Sequence, residues 1–113
     1  MTDYSTIHHP IGELFNRAGI DPESFRLGSD QVRSFHENGY LAGIRLLDSE
    51  QLEQLQNELA DLTQPNHDGF EHWYEYHSNE SSDPDAVLFH ALGAWRIGPA
   101  FHDVLWHPAF TVP

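Results

Sequence analysis

The sequence predicts an α+β fold, and three observations carry that expectation. A leucine-rich helix with a complete N-terminal signature runs from Asp48 to Leu62. Directly before it, Tyr40 to Leu47 alternates with the period of a strand. The chain also contains three Trp, four Tyr and seven Phe and is 39% hydrophobic, enough apolar material to form a core and oppose disorder. At 113 residues it fits one domain, since folded domains most often run to about 100–150 residues.

Residues 1–28 read as an approach segment with one short helix, Ile11 to Ala18. In it Ile11, Leu14 and Phe15 share a face, Gly19 closes the end, and Asp21-Pro22 breaks the pattern. Across residues 29–113 the signals become clearer. Ser29 or Asp30 caps a helix whose Val32 and Phe35 lie three apart, and Gly39 supplies the left-handed residue that ends it.

Tyr40 to Leu47 then reads as a largely buried strand, with Tyr40, Ala42, Ile44 and Leu46 on one face and Leu41, Gly43, Arg45 and Leu47 on the other. Asp48 with Gln51 forms a capping box, and Leu47 with Leu52 a hydrophobic staple. Leu52, Leu55, Leu59 and Leu62 make the apolar stripe of the helix that follows, and Glu50, Glu53, Glu58 and Asp61 face water.

Thr63 to Ala86 reads as a long loop, aromatic in its first half at Phe70, Trp73, Tyr74 and Tyr76 and polar in its second. Loops of this length inside compact domains are usually functional or disordered. Val87 to Ala91 suits a second strand. Pro99 opens a last helix, Ala100 to Trp106, with Phe101, Val104 and Leu105 inward and His107-Pro108 ending it.

Five basic residues against eighteen acidic ones give a formal net charge of −13. A chain so poor in cations is not expected to bind nucleic acid or an anionic membrane, because both draw on Lys and Arg. It contains no cysteine, which suits a reducing cytoplasm and removes disulfides, thiolate ligands and cysteine nucleophiles. No stretch approaches the ~20 apolar residues of a transmembrane helix, and Met1 to Pro10 lacks the basic and apolar regions of a secretory signal. The expected setting is cytoplasmic.

Nine histidines make a metal site the first chemistry to test. No pair has the three- or four-residue spacing that puts two ligands on one helix face. His72 and His77 are five apart, as are His102 and His107, while His8 and His9 are adjacent. A cluster of His67, His72 and His77 with nearby acids would have to form in three dimensions. The two-His, one-carboxylate iron triad finds no His-x-Asp or His-x-Glu, and there is no nucleophile elbow or phosphate loop. Arg45 and Arg96 interrupt apolar runs, where an Arg usually signals a carboxylate partner.

The run from Gln31 to Leu62, with Phe35, Asn38, Gly39, Tyr40, Leu46 and Leu47 in place, resembles the opening of phytanoyl-CoA dioxygenase-like proteins. These are iron(II)- and 2-oxoglutarate-dependent oxygenases on a double-stranded jelly roll. The stretch Leu88 to Phe110, with Trp95-Arg96-Ile97 and His107-Pro108, looks like the segment that leads that family into its jelly roll.

The resemblance implies that residues 29–113 are the N-terminal part of an incomplete domain: the N-terminal helix-strand-helix segment of a double-stranded β-helix oxygenase, ending before the iron-binding core. An intact parent would hold Fe(II) and 2-oxoglutarate and hydroxylate a small organic substrate, with the Phe70 to Tyr76 loop near the mouth of the barrel. The family's iron and 2-oxoglutarate ligands lie downstream of the matching part, so no residue here is assigned a catalytic, cofactor-binding or metal-ligating role. The apolar end, Phe110-Thr111-Val112-Pro113, suits an incomplete chain. The alternative is a small acidic module that folds alone and binds a protein partner through the aromatic loop.

Overall fold

The computed structural model describes all 113 residues. It contains α1 (Ser29–Asn38), α2 (Ser49–Leu62), β1 (Glu75–His77), β2 (His90–Leu92), α3 (Ala94–Ile97), α4 (Pro99–Val104) and α5 (Pro108–Thr111). Single 3-10 turns lie at Tyr4–Thr6, Pro22–Phe25 and Phe70–His72. Helix accounts for 42% of the chain and strand for 5%. The strands form one antiparallel pair, with Glu75 opposite Leu92, Tyr76 opposite Ala91 and His77 opposite His90.

This overturns the jelly-roll expectation. A double-stranded β-helix needs two stacked sheets of several strands each, and an open two-stranded ribbon between helices cannot begin one. The α+β character stands, as a small helical bundle with a hairpin.

The best-marked element forms as its local signals dictate. Asp48 accepts the backbone N–H of Gln51 at 2.9 Å, and the Gln51 side chain accepts that of Asp48 at 3.0 Å, completing the capping box. What the leucine stripe misjudges is the roll of α2. Gln51 and Leu62 are buried and Leu55 and Glu58 half-buried, whereas Leu52 and Leu59 are 49% and 45% exposed. Long-range hydrogen bonds hold this face inward. The Gln51 amide donates to Leu14 O at 2.8 Å, and the Glu58 carboxylate accepts from Ala100 N at 2.8 Å and Phe101 N at 3.1 Å, capping the start of α4.

Four other expectations are corrected. Ile11 to Ala18 forms bends and a turn instead of a helix, although its Phe15 enters the core. Tyr40 to Leu47 pairs with no strand and is mostly exposed. The second strand lies at His90–Leu92, three residues beyond the start expected at Val87. In α4 the residues turned inward are Ala100, His102 and Asp103, while Leu105 is 53% exposed. Past His107 the chain starts another helical turn, with Pro108 at its first position and the His107 imidazole accepting from Ala109 N at 3.0 Å.

The apolar core is small: Phe15, Leu62, Ile97, Ala100 and Ala109. Beside it lies a buried polar clasp. The Asp103 carboxylate accepts from Ile11 N at 2.7 Å, Gly12 N at 2.6 Å and the His102 ring at 2.9 Å, and the other His102 nitrogen meets Ile7 O at 2.9 Å. These bonds tie the first dozen residues onto α4.

Other parts of the chain are loosely packed. Helix α1 buries none of its residues, and the accessible surface is 7820 Å² against about 6,300 Å² expected for a compact monomer of this mass. The radius of gyration, 16.9 Å, likewise exceeds the roughly 13 Å of a compact chain of this length.

Candidate functional site

The aromatic stretch that the sequence singles out folds into the hairpin. A 3-10 turn at Phe70–His72 leads into β1, and the paired β2 returns the chain to α3. Tyr76 sits at the centre of an aromatic group, with ring centroids 4.7 Å from Phe70, 5.9 Å from Trp73 and 5.5 Å from Phe89. The Phe70 and Phe89 contacts are edge-to-face, an arrangement that stabilises beyond simple burial by about 0.5–1.5 kcal/mol a pair.

The group is only half covered. Tyr76, Trp73 and Phe89 are intermediate, and Phe70 and Tyr74 are exposed. Val87 and Leu88, just before Phe89, are 76% and 56% exposed, and Leu92, opposite Glu75 on the other face of the ribbon from Tyr76, is 49% exposed.

Arg96 anchors the hairpin to the body. It donates to His72 O at 2.9 Å, lies over the Tyr74 ring at 4.6 Å, and grips the Asp3 carboxylate through two nitrogens. This bidentate pairing, with the Ser5 N–H as a further donor, holds the Asp3 carboxyl far below the usual carboxylate range. One arginine thus joins the N-terminus, the aromatic turn and α3. Arg45, flagged on the same grounds, is exposed and takes no carboxylate partner.

The histidines disperse. His67 pairs with Asp61 at 3.2 Å, His72 lies 3.6 Å from Glu71, and His77 meets Glu75 at 2.9 Å. His77 and His90 face each other across the hairpin, their rings 5.7 Å apart, with Glu80 at 2.9 Å from His90. His102 and His107 serve the buried clasp and the start of α5. No three His, Asp or Glu side chains are grouped so as to hold a metal ion. The hollows are open; the two largest, each about 340 Å³, lie between Arg17 and His107 and beside Val104, Leu105, Phe110 and Thr111. No helix is long and apolar enough to cross a membrane.

No protein-family model matches the chain, and no curated protein matches it. The resemblance to phytanoyl-CoA dioxygenase-like proteins therefore rests on local motifs alone, and the fold contradicts it. The motifs around Asn38-Gly39-Tyr40 and Asp48 are helix-end signals that any helix–connection–helix unit can use. With a helical bundle in place of a jelly roll and no metal-holding group, neither an oxygenase reading nor the iron, 2-oxoglutarate and small-molecule hydroxylation attached to it is retained.

Proposed function

We propose that this chain is a small acidic protein-interaction module that docks a partner protein on its aromatic hairpin. One observation carries the reading. Five apolar residues form the buried core, while Phe35, Tyr40, Phe70, Tyr74, Val87, Leu88, Leu92 and Phe110 are all at least 48% exposed. The surface exceeds that of a compact monomer by about 1,500 Å², roughly twice the ~800 Å² each partner contributes to a standard interface. Exposed apolar side chains rimmed by polar residues mark an interaction site; Phe70, Tyr74, Val87, Leu88 and Leu92 of the hairpin are such side chains, and the exposed Glu71, Glu75, Glu80, Asp83 and Asp85 lie among them along the chain.

The net charge sets the partner's chemistry. All five basic residues are Arg, and four of them are already held in internal ion pairs. The surface left to a partner is therefore acidic around an apolar centre, complementary to an apolar patch ringed by Lys and Arg. A cytoplasmic setting belongs to the same proposal, since a chain without cysteine loses nothing in a reducing compartment.

Affinity capture with the intact chain, repeated with a Val87→Asp/Leu88→Asp variant, tests the reading. Both positions are exposed, so the variant is expected to melt at the wild-type temperature and to lose the captured protein. Undiminished capture by the variant contradicts docking at the hairpin.

A further inference from the structure

Eight consecutive residues, Tyr40 to Leu47, make no hydrogen bond within the protein. The last bond before them joins Gly39 N to Phe35 O at 2.8 Å, and the next joins Asp48 N to the Gln51 side chain at 3.0 Å. None of the eight N–H and eight C=O groups has a partner within the protein, although Leu41, Leu46 and Leu47 are half-buried. Both ends of the segment are fixed. Gly39, at φ +77°, turns the chain out of α1 in a conformation that residues with a Cβ rarely adopt, and the capping box at Asp48 starts α2. Between them the sequence alternates as a strand does, yet Tyr40 is 67% and Ile44 37% exposed, and Ala42, Gly43 and Arg45 lie open beside them.

We infer that Tyr40–Leu47 is a docking edge for an extended segment of another protein, which adds to it as a β-strand. This deepens the interaction reading above and rests on it. A stretch whose main-chain groups have no partner in its own chain offers them to an incoming strand: main-chain bonds supply affinity and alternate side chains supply specificity. Gly43, at φ +79°, suits the left-handed position of a bulge, past which pairing continues.

Charge decides the occupant. Two copies pairing through this segment would bring together chains that each carry a formal charge of −13. A second copy is therefore disfavoured. The strand that fits is apolar at alternate positions and flanked by Lys or Arg, which complement the chain's net negative charge and the exposed, unpaired Glu37 beside the segment.

The test uses the intact chain and a capped, fluorescent peptide, Lys-Lys-Val-Thr-Val-Thr-Val-Lys-Lys, with a Glu-flanked counterpart. Binding is read by anisotropy and by amide hydrogen exchange. The Lys-flanked peptide is expected to bind saturably and to slow exchange within residues 40–47. The Glu-flanked peptide and the Ala42→Pro variant should each weaken binding at least about ten-fold. Because Ala42 makes no hydrogen bond, the variant's melt should not move.

Unchanged exchange in 40–47 at the highest peptide concentration overturns the inference. So does equal binding by Ala42→Pro, or concentration-dependent protection of the segment without peptide, which would make a second copy the occupant. If the peptide fails while hairpin-dependent capture succeeds, strand addition falls and the interaction module stands. If both fail, the module reading falls as well.

Discussion

Replacing Asp103 by alanine is expected to remove about 3–5 kcal/mol of stability, the range for breaking one side of a buried charge-assisted network. The carboxylate is 3% exposed and accepts three hydrogen bonds, two from the backbone of Ile11 and Gly12 and one from His102. Without it two N–H groups and a ring that is 1% exposed lose their acceptor, and the desolvation already incurred is no longer offset. Domains of this size have about 5–15 kcal/mol in total, so a large share of the stability is at stake.

Urea unfolding followed by circular dichroism measures the loss. Amide exchange should show Ile11 and Gly12 opening first, because Asp103 is what attaches them to α4. Asp103→Asn keeps one carbonyl acceptor and is expected to recover part of the stability. A loss below about 1 kcal/mol in the alanine variant, the value of one ordinary hydrogen bond, contradicts the clasp.

Acid is expected to destabilise the protein in two stages whose directions follow from the folded geometry. Burial holds the His107 imidazole below its ordinary pKa of 6.5, so between the folded and unfolded values the unfolded chain binds the extra proton. That contribution is complete above about pH 6.5 and is lost as pH falls toward the folded value. The Arg96 grip on Asp3 and the Arg26 grip on Glu23 hold both carboxyls below their ordinary values. Their contributions are present above about pH 4 and disappear as pH falls through the depressed range.

Thermal melts from pH 8 to pH 3 should therefore be flat at first, decline below about 6.5, and decline again below about 4. In His107→Asn the side chain can still cap α5 but cannot titrate, so the first decline should vanish and the second remain. A first decline unchanged in that variant would assign it to another group.

What the sequence makes legible is what depends on neighbouring residues. The capping box of α2, the glycine that ends α1 and the proline that opens α4 all appear where local chemistry puts them. The inward faces do not, because distant partners set them: Gln51 is drawn in by Leu14, Glu58 by the start of α4, and Asp103 by Ile11 and Gly12. In each case a polar residue displaces the apolar one that periodicity favours.

Tyr40–Leu47 carries the pattern of a strand, yet a strand exists only where a neighbour supplies hydrogen bonds, and no segment of this chain does. The same limit explains the failed resemblance, whose matching residues are helix ends and connections and carry no information about the sheets beyond them. For the candidate site, the aromatic content of the hairpin was readable and its arrangement was not. Arg96 could be singled out as an arginine in an apolar run, but its partner Asp3 lies 93 residues away with nothing in the local sequence to announce it.

A free chain that folds around a small core while its apolar hairpin and strand-like segment stay open for a partner should be an extended particle. Small-angle X-ray scattering of the monomer, extrapolated to infinite dilution, addresses this directly. The expected result is a folded particle with a radius of gyration near the 16.9 Å of the structure. A value near 13 Å, where those segments have collapsed onto the core, or one near 34 Å, the scale of an unfolded chain of this length, would contradict it.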